Sequence, residues 1–144
     1  MEYRTEVTIA LPRDRVVAHF DDPDNLGKWQ DGFVSMEHVS GEYGEAGMVS
    51  KLVYETRGRK MELTETIESR NLPDEFIAVY ETGGVWNRHV NRFHDEGETT
   101  RYVTDTEFRC KGLVRVLMAI RPSMFKKETL KNMERFKAFA EAEG

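Results

Sequence analysis

The chain has a single cysteine, Cys110, so no disulfide forms within it and the fold is held by burial and hydrogen bonding alone. It has no run of about 18 apolar residues and no charged-then-apolar leader, which speaks against a membrane span and a secretion signal. A basic excess is missing too. Lys and Arg number 21 against 26 Asp and Glu, and a formal net charge of -5 argues against general nucleic-acid binding. These absences predict a soluble, cytoplasmic protein. Repeats, linkers and low-complexity stretches are also lacking, and 144 residues suit one domain, 1–144, with a core of useful size.

Several kinds of chemistry lack their residues. Gly41, Gly44 and Gly47 are spaced G-x-x-G-x-x-G, but no helix follows to receive a phosphate, so they read as hairpin glycines. No nucleophile-elbow sequence supports a Ser-His-Asp site. His89 and His94 are five apart in a strand and point to opposite faces, while His19 and His38 have no ligand-spaced partner. Neither a metal nor a cofactor is expected. Cys110 lies between Arg109 and Lys111 without a base to activate it, and reads as a structural residue at a strand end.

Strand patterns fill most of the chain. Tyr3, Thr5, Val7 and Ile9 alternate with Glu2, Arg4, Glu6 and Thr8, a half-buried strand that Pro12 ends. Val16, Val17 and Phe20 share one face of a short helix stopped by Asp21, Asp22 and Pro23, and a second short helix is predicted over 24–28. Six further strands occupy 33–110, with turns at Arg57-Gly58, Leu72-Pro73-Asp74, Gly83-Gly84 and 95–98.

The two tight turns assign faces, because directly opposed residues of an antiparallel pair point the same way. A two-residue loop at Gly83-Gly84 places Tyr80 against Asn87 and Ala78 against His89; one at Arg57-Gly58 places Tyr54 against Met61, Leu52 against Leu63 and Ser50 against Glu65. The faces rich in Arg, Lys and Glu must be outside, since burying an unpaired charge is the costlier choice. The inner surface then mixes apolar Met48, Leu52, Leu63 and Phe76 with Ser50, Tyr54, Glu65, Tyr80, Asn87, His89, Asn91, Tyr102 and Thr104. So many polar groups suit a ligand cavity better than a dry core, although they can also satisfy one another.

The last third reads as one long helix over 113–143, broken near its start by Pro122. Phe125, Thr129, Met133, Phe136 and Ala140 form its docking stripe, while the basic residues over 121–137, interrupted by Glu128 and Glu134, form a solvated face. The segment 113–120 is apolar nearly all round apart from Arg115, and is expected to be buried or to line something apolar. Met118 and the other methionines suit an adaptable lining.

Phe20-Asp21-Asp22-Pro23 closing a Pro-initiated helix, then Asn25-Leu26, Trp29, a strand entered after Gly47, the Gly-Glu-Thr-Thr-Arg segment at 97–101, Lys111-Gly112 and Pro122 together resemble the START and Bet v 1-like (SRPBCC) superfamily. Within it the chain is most similar to the polyketide cyclase/dehydrase and lipid-transport group. The resemblance implies an α+β helix-grip fold. In it a seven-stranded antiparallel curved sheet wraps round a long C-terminal helix, two short helices follow strand 1, and a hydrophobic cavity lies between.

The expected function is binding of a small hydrophobic or amphipathic molecule: a lipid, isoprenoid or aromatic polyketide-like compound. The expected lining is Ser50, Leu52, Tyr54, Leu63, Ala78, Tyr80, Asn87, Asn91, Tyr102, Thr104 and Met118. An alternative is a cyclase/dehydratase-type enzyme with Glu65 and His89 as acid and base. If Glu65 lies opposite Ala78, then Ser50, Glu65, Ala78 and His89 form one row, with a methyl group between acid and base. A third reading is an interaction module or homodimer using Ile77, Val79, Trp86 and Val90 on the outer face, weakened by the interleaved Arg88 and Arg92.

Overall fold

Alternation of apolar and charged side chains makes β1 (Glu2–Ile9) a strand with Thr5, Val7 and Ile9 buried and Arg4, Glu6 and Thr8 exposed. In this computed structural model, which describes residues 1–144, Pro12 sits in extended backbone ahead of helix α1 (Arg13–Asp21). A short 3-10 turn (Pro23–Asn25) and helix α2 (Leu26–Trp29) follow. The remaining strands are β2 (Phe33–Ser40), β3 (Val49–Thr56), β4 (Arg59–Asn71), β5 (Glu75–Thr82), β6 (Val85–Asp95) and β7 (Thr100–Cys110). They form one antiparallel sheet in the order β1-β7-β6-β5-β4-β3-β2. Helices α3 (Leu113–Ile120) and α4 (Pro122–Glu143) end the chain, and Pro122 takes the first position of α4, where its missing N–H costs no hydrogen bond.

The turns do what their residues predict. Arg57 and Gly58 both have positive φ, 53° and 75°, as a two-residue hairpin loop requires, and Thr56 pairs with Arg59. Thr82 pairs with Val85 across Gly83-Gly84. The inward set of β7, Tyr102, Thr104 and Thr106, is buried, with Phe108 half-buried beyond it.

Helix α4 packs chiefly on β1, with no comparable packing against β3, β4 or β5. Its Met133, Phe136 and Ala140 join Val7, Ile9, Val16, Phe93 and Tyr102 in the core. Tyr3 fixes the start of the helix, its hydroxyl donating to the Phe125 carbonyl at 3.2 Å and lying 2.6 Å from the Thr129 hydroxyl. The core therefore lies toward the β1 side of the concave face, and the space over β3–β5, reaching parts of β6 and β7, is left for a cavity.

Three expectations fail. Glu65 lies opposite Tyr80 rather than Ala78, which faces Ile67. The turn fixes Asn71 against Glu75, a longer connection than the Ala78 pairing assumed, and a bulge between Ile67 and Ser69 then shifts Glu65 by one residue, from Glu81 to Tyr80; the sequence announces neither. Next, the helix 113–120 is not buried: Leu113 is 87% and Ile120 69% exposed. Last, the outer patch is only partly open, with Val79 and Trp86 half-buried. Ile77 and Val90 are buried beneath a charged lattice in which Arg88 meets Glu68, Arg92 meets Glu75 and Asp105, and Arg4 meets Asp105, while Arg109 lies 4.5 Å over the Trp86 ring. Such exposed pairs add little individually, but their aliphatic stems shield the apolar side chains.

Candidate functional site

Two adjoining chambers occupy the space between sheet and helices. The first, about 300 Å³, is walled by Met36, Met48, Leu52, Ile67 and Phe76, with Glu65 among them. The bulge in β4 turns Arg70 toward this side, where it meets Asp21 at 2.5 Å, and both residues line the chamber. The second, about 400 Å³, is lined from the sheet by Tyr54, Met61, Leu63, Asn87, His89, Asn91, Tyr102 and Thr104, and from α4 by Thr129, Asn132, Met133 and Arg135. Arg135 pairs with Asp31 at 3.6 Å. Phe20, Trp29, Gln30 and Tyr80 line both chambers.

Pairing across the sheet explains the polar groups. Ser50, Glu65, Tyr80 and Asn87 form one row, and Ala78, His89 and Thr106 the next. Burial holds the Glu65 carboxyl toward its neutral form, raising its pKa, while the Tyr80 hydroxyl partly offsets this by favouring the carboxylate. The acidity of Tyr80 is itself suppressed, first by burial and then by the neighbouring Glu65 charge. Tyr80 packs edge-on against His89, ring centroids 5.5 Å apart. Burial lowers the His89 pKa to about 4, so the imidazole is neutral at pH 7, and its Nδ1 lies 3.2 Å from the Thr106 hydroxyl. Tyr80 thus stands between acid and imidazole, in place of the expected methyl group.

A different cluster is internally satisfied. The Asn91 side-chain oxygen accepts from the Tyr102 hydroxyl at 2.8 Å and the Thr104 hydroxyl at 3.0 Å, and its amide donates to the Phe76 carbonyl at 3.2 Å. Tyr54 donates to Gln30 at 2.6 Å. By contrast, the indole N–H of Trp29 and the hydroxyl of Ser50 are buried without a partner in the protein. His, Cys, Asp and Glu side chains nowhere gather three together in metal-ligating geometry.

This sheet, gripping helix and cavity correspond to a family described as polyketide cyclase/dehydrase and lipid transport, which matches residues 1–141. The chain belongs to that family. Solved structures of similar fold include a protein from Thermus thermophilus, with TM-score 0.73 and 22% identity over 99% of this chain and 95% of that one. The Zhui aromatase/cyclase from a Streptomyces species superposes with TM-score 0.78 and 14% identity over 98% and 93% of the two chains. Norcoclaurine synthase from Thalictrum flavum, in complex with dopamine and hydroxybenzaldehyde, gives 0.69 and 15% over 96% and 85%. No curated protein sequence matches the chain.

In this member of the polyketide cyclase/dehydrase family, the two chambers bring together Leu52, Tyr54, Leu63, Glu65, Tyr80, Asn87, His89, Asn91, Tyr102 and Thr104 from the sequence reading. Three residues fall outside. Ser50 and Ala78 are buried in the sheet's inner face, 1% and 0% exposed, and line neither chamber. Met118 sits on α3, which contributes no lining residue. Sequence reasoning misses Asn132 and Arg135, which it assigns to the wet face of α4; their spacing of three from Thr129 and from each other, flanking the docking stripe, is the available signal. It also misses Asp21 and Arg70, the latter because the bulge changes its side.

Glu65→Gln tests the environment of the acid. A raised folded-state pKa means that the folded protein holds its proton longer, so this group's contribution is full below its ordinary value of 4.5 and is lost as pH rises through the folded value. Thermal melts across pH are expected to show the variant more stable than the parent in neutral and alkaline buffer, the gap closing below pH 4.5. A pH-independent gap would place Glu65 in water.

Proposed function

We propose that the joined chambers bind a small, largely apolar molecule carrying one polar group, with that group set against Glu65 and Tyr80. The observation that carries this reading is a carboxyl held toward neutrality beside a tyrosine hydroxyl, within walls that are mainly apolar and aromatic, the Asp21–Arg70 pair standing elsewhere in the lining. Such a pair donates and accepts hydrogen bonds without a net charge, which suits a carbonyl or hydroxyl on an apolar frame. The unpartnered Trp29 indole N–H offers a further donor to an acceptor on the ligand. Phe20, Trp29, Phe76 and Tyr80 favour a flat aromatic or isoprenoid body over a flexible chain. Two similar folds, an aromatase/cyclase and a synthase bound to dopamine and hydroxybenzaldehyde, are in keeping with an aromatic ligand.

A second reading is catalytic, and the raised pKa of Glu65 favours it: an acid displaced toward neutral pH exchanges protons with a bound molecule. His89, neutral and in contact with Tyr80, would then act on the acid through that ring rather than face it directly.

An environment-sensitive apolar dye is expected to bind the native protein near one to one and to be displaced by aromatic polycycles. Leu63→Trp, which fills the second chamber from a half-buried position, is expected to weaken the dye at least tenfold while the melt stays cooperative. Unchanged affinity in that folded variant would remove the cavity from the account. With a displacing ligand in hand, Glu65→Gln separates the readings: a carrier keeps its affinity within about tenfold, whereas an enzyme still binds but loses about 100-fold or more in turnover.

A further inference from the structure

Helix α3 (Leu113–Ile120) has two apolar faces, and only one is covered. Val114 and Met118 are half-buried on the side that meets β7 and α4. Leu113, Val116, Leu117 and Ile120 follow at i, i+3, i+4 and i+7, the spacing of a docking stripe, yet they are 87%, 54%, 43% and 69% exposed. Met124, 36% exposed at the start of α4, extends the stripe. Nothing in the chain covers it.

The charges next to this stripe along the chain are of one sign. Arg109, Lys111, Arg115, Arg121, Lys126 and Lys127 fall in residues 109–127, which contain no acidic residue, in a chain whose net charge is -5. Apart from Arg109, which meets Glu107, none of the six is in an ion pair. Strand order adds to the asymmetry. Cys110 at the end of β7 pairs beside the Gly83-Gly84 turn, and the antiparallel ladder puts the Arg57-Gly58 turn, with Arg59 and Lys60, at that same end of the sheet. The acidic turn at 95–98 and Asp74 lie at the other end. Glu2, Glu55, Glu81 and Glu107 share the first end, so the polarity along the strands is partial, and it is sharpest at residues 109–127, which carry the exposed apolar helix.

We propose that this end docks on an anionic lipid surface, with the α3 stripe entering the headgroup boundary and the surrounding lysines and arginines meeting the lipid charge. Apolar side chains backed by basic ones are the pairing such surfaces select. A second copy of the chain fits less well: a twofold contact through the same patch would oppose the two basic clusters. An eight-residue helix, about 12 Å long, is also a small footprint beside the roughly 800 Å² per partner of a stable protein interface. The second chamber reaches toward the docked end, since Thr56 and Met61 flank the Arg57-Gly58 turn and Glu128 and Thr129 lie near the start of α4. The docking itself does not depend on what the chamber holds.

The test is flotation of the full chain with vesicles of phosphatidylcholine alone or mixed with phosphatidylserine, at low and high salt. Binding is expected on the anionic vesicles at low salt and to be lost at high salt. Lys126→Gln with Lys127→Gln is expected to weaken it roughly fivefold per side chain removed. Leu113→Ser with Ile120→Ser, both at highly exposed positions, is expected to weaken it tenfold or more with an unchanged thermal melt. The proposal is overturned if the native protein ignores anionic vesicles, if the serine variant floats like the parent, or if sedimentation shows a dimer that the serine variant dissolves.

Discussion

Phe136→Ala is expected to lower the unfolding free energy by about 3–5 kcal/mol, the usual range for deleting a fully buried aromatic ring. Phe136 is 0% exposed and touches Phe20, Trp29 and Tyr102 edge-on, at centroid distances of 5.9, 5.1 and 5.9 Å. These partners come from α1, α2 and β7, so a cavity at this point loosens three elements at once. The loss is comparable to the whole stability of many small folds, and the variant is expected to melt broadly or not fold at 37 °C. Denaturant titration of parent and variant measures it; a cost below about 1 kcal/mol would mean that α4 is not the keystone of the core.

Asn91→Leu should cost nearly as much, for a different reason. The change keeps the branched heavy-atom skeleton of the side chain but leaves the Tyr102 and Thr104 hydroxyls without their shared acceptor and the Phe76 carbonyl without its side-chain donor. Each buried group so stranded costs about 1–3 kcal/mol, so a total of about 3–4 kcal/mol is expected. Tyr102→Phe is the comparison, because Asn91 keeps its bond from Thr104 and the expected loss is only about 1 kcal/mol. If the two variants were equally mild, the network would be solvated rather than closed, and Asn91 would be free to meet a ligand.

What the sequence revealed and what it hid follow one physical division. Period-two alternation and two-residue turns are local, and they correctly set the bounds of β1, the Gly83-Gly84 and Arg57-Gly58 pairings and the inward face of β7. The stripe from Phe125 to Ala140 marked the docked side of α4 for the same reason. Register across a bulge is not local. The turn pairs Asn71 with Glu75, which on an unbroken ladder would set Glu65 against Glu81; the extra residue between Ile67 and Ser69 brings it to Tyr80, two residues from the expected Ala78, so the supposed acid–methyl–imidazole row is instead an acid–tyrosine contact backed by histidine. Hydropathy alone also misplaced α3, since an apolar segment is normally buried, and here the chain has no element left to bury it. Ile77 and Val90 failed in the opposite sense: they do lie on the outer face, but beneath the stems of paired arginines.

Six of the seven methionines, all but Met1, divide usefully about the central claim. Met36 and Met48 line the first chamber and Met61 and Met133 the second, whereas Met118 and Met124 belong to the outward helix region. Methyl NMR of methionine-labelled protein, titrated with the dye or with a displacing aromatic compound, reads both regions in one spectrum. The account predicts saturable shifts at Met36, Met48, Met61 and Met133 with Met118 and Met124 unmoved. Shifts confined to Met118 and Met124, or none at any methionine, would contradict it.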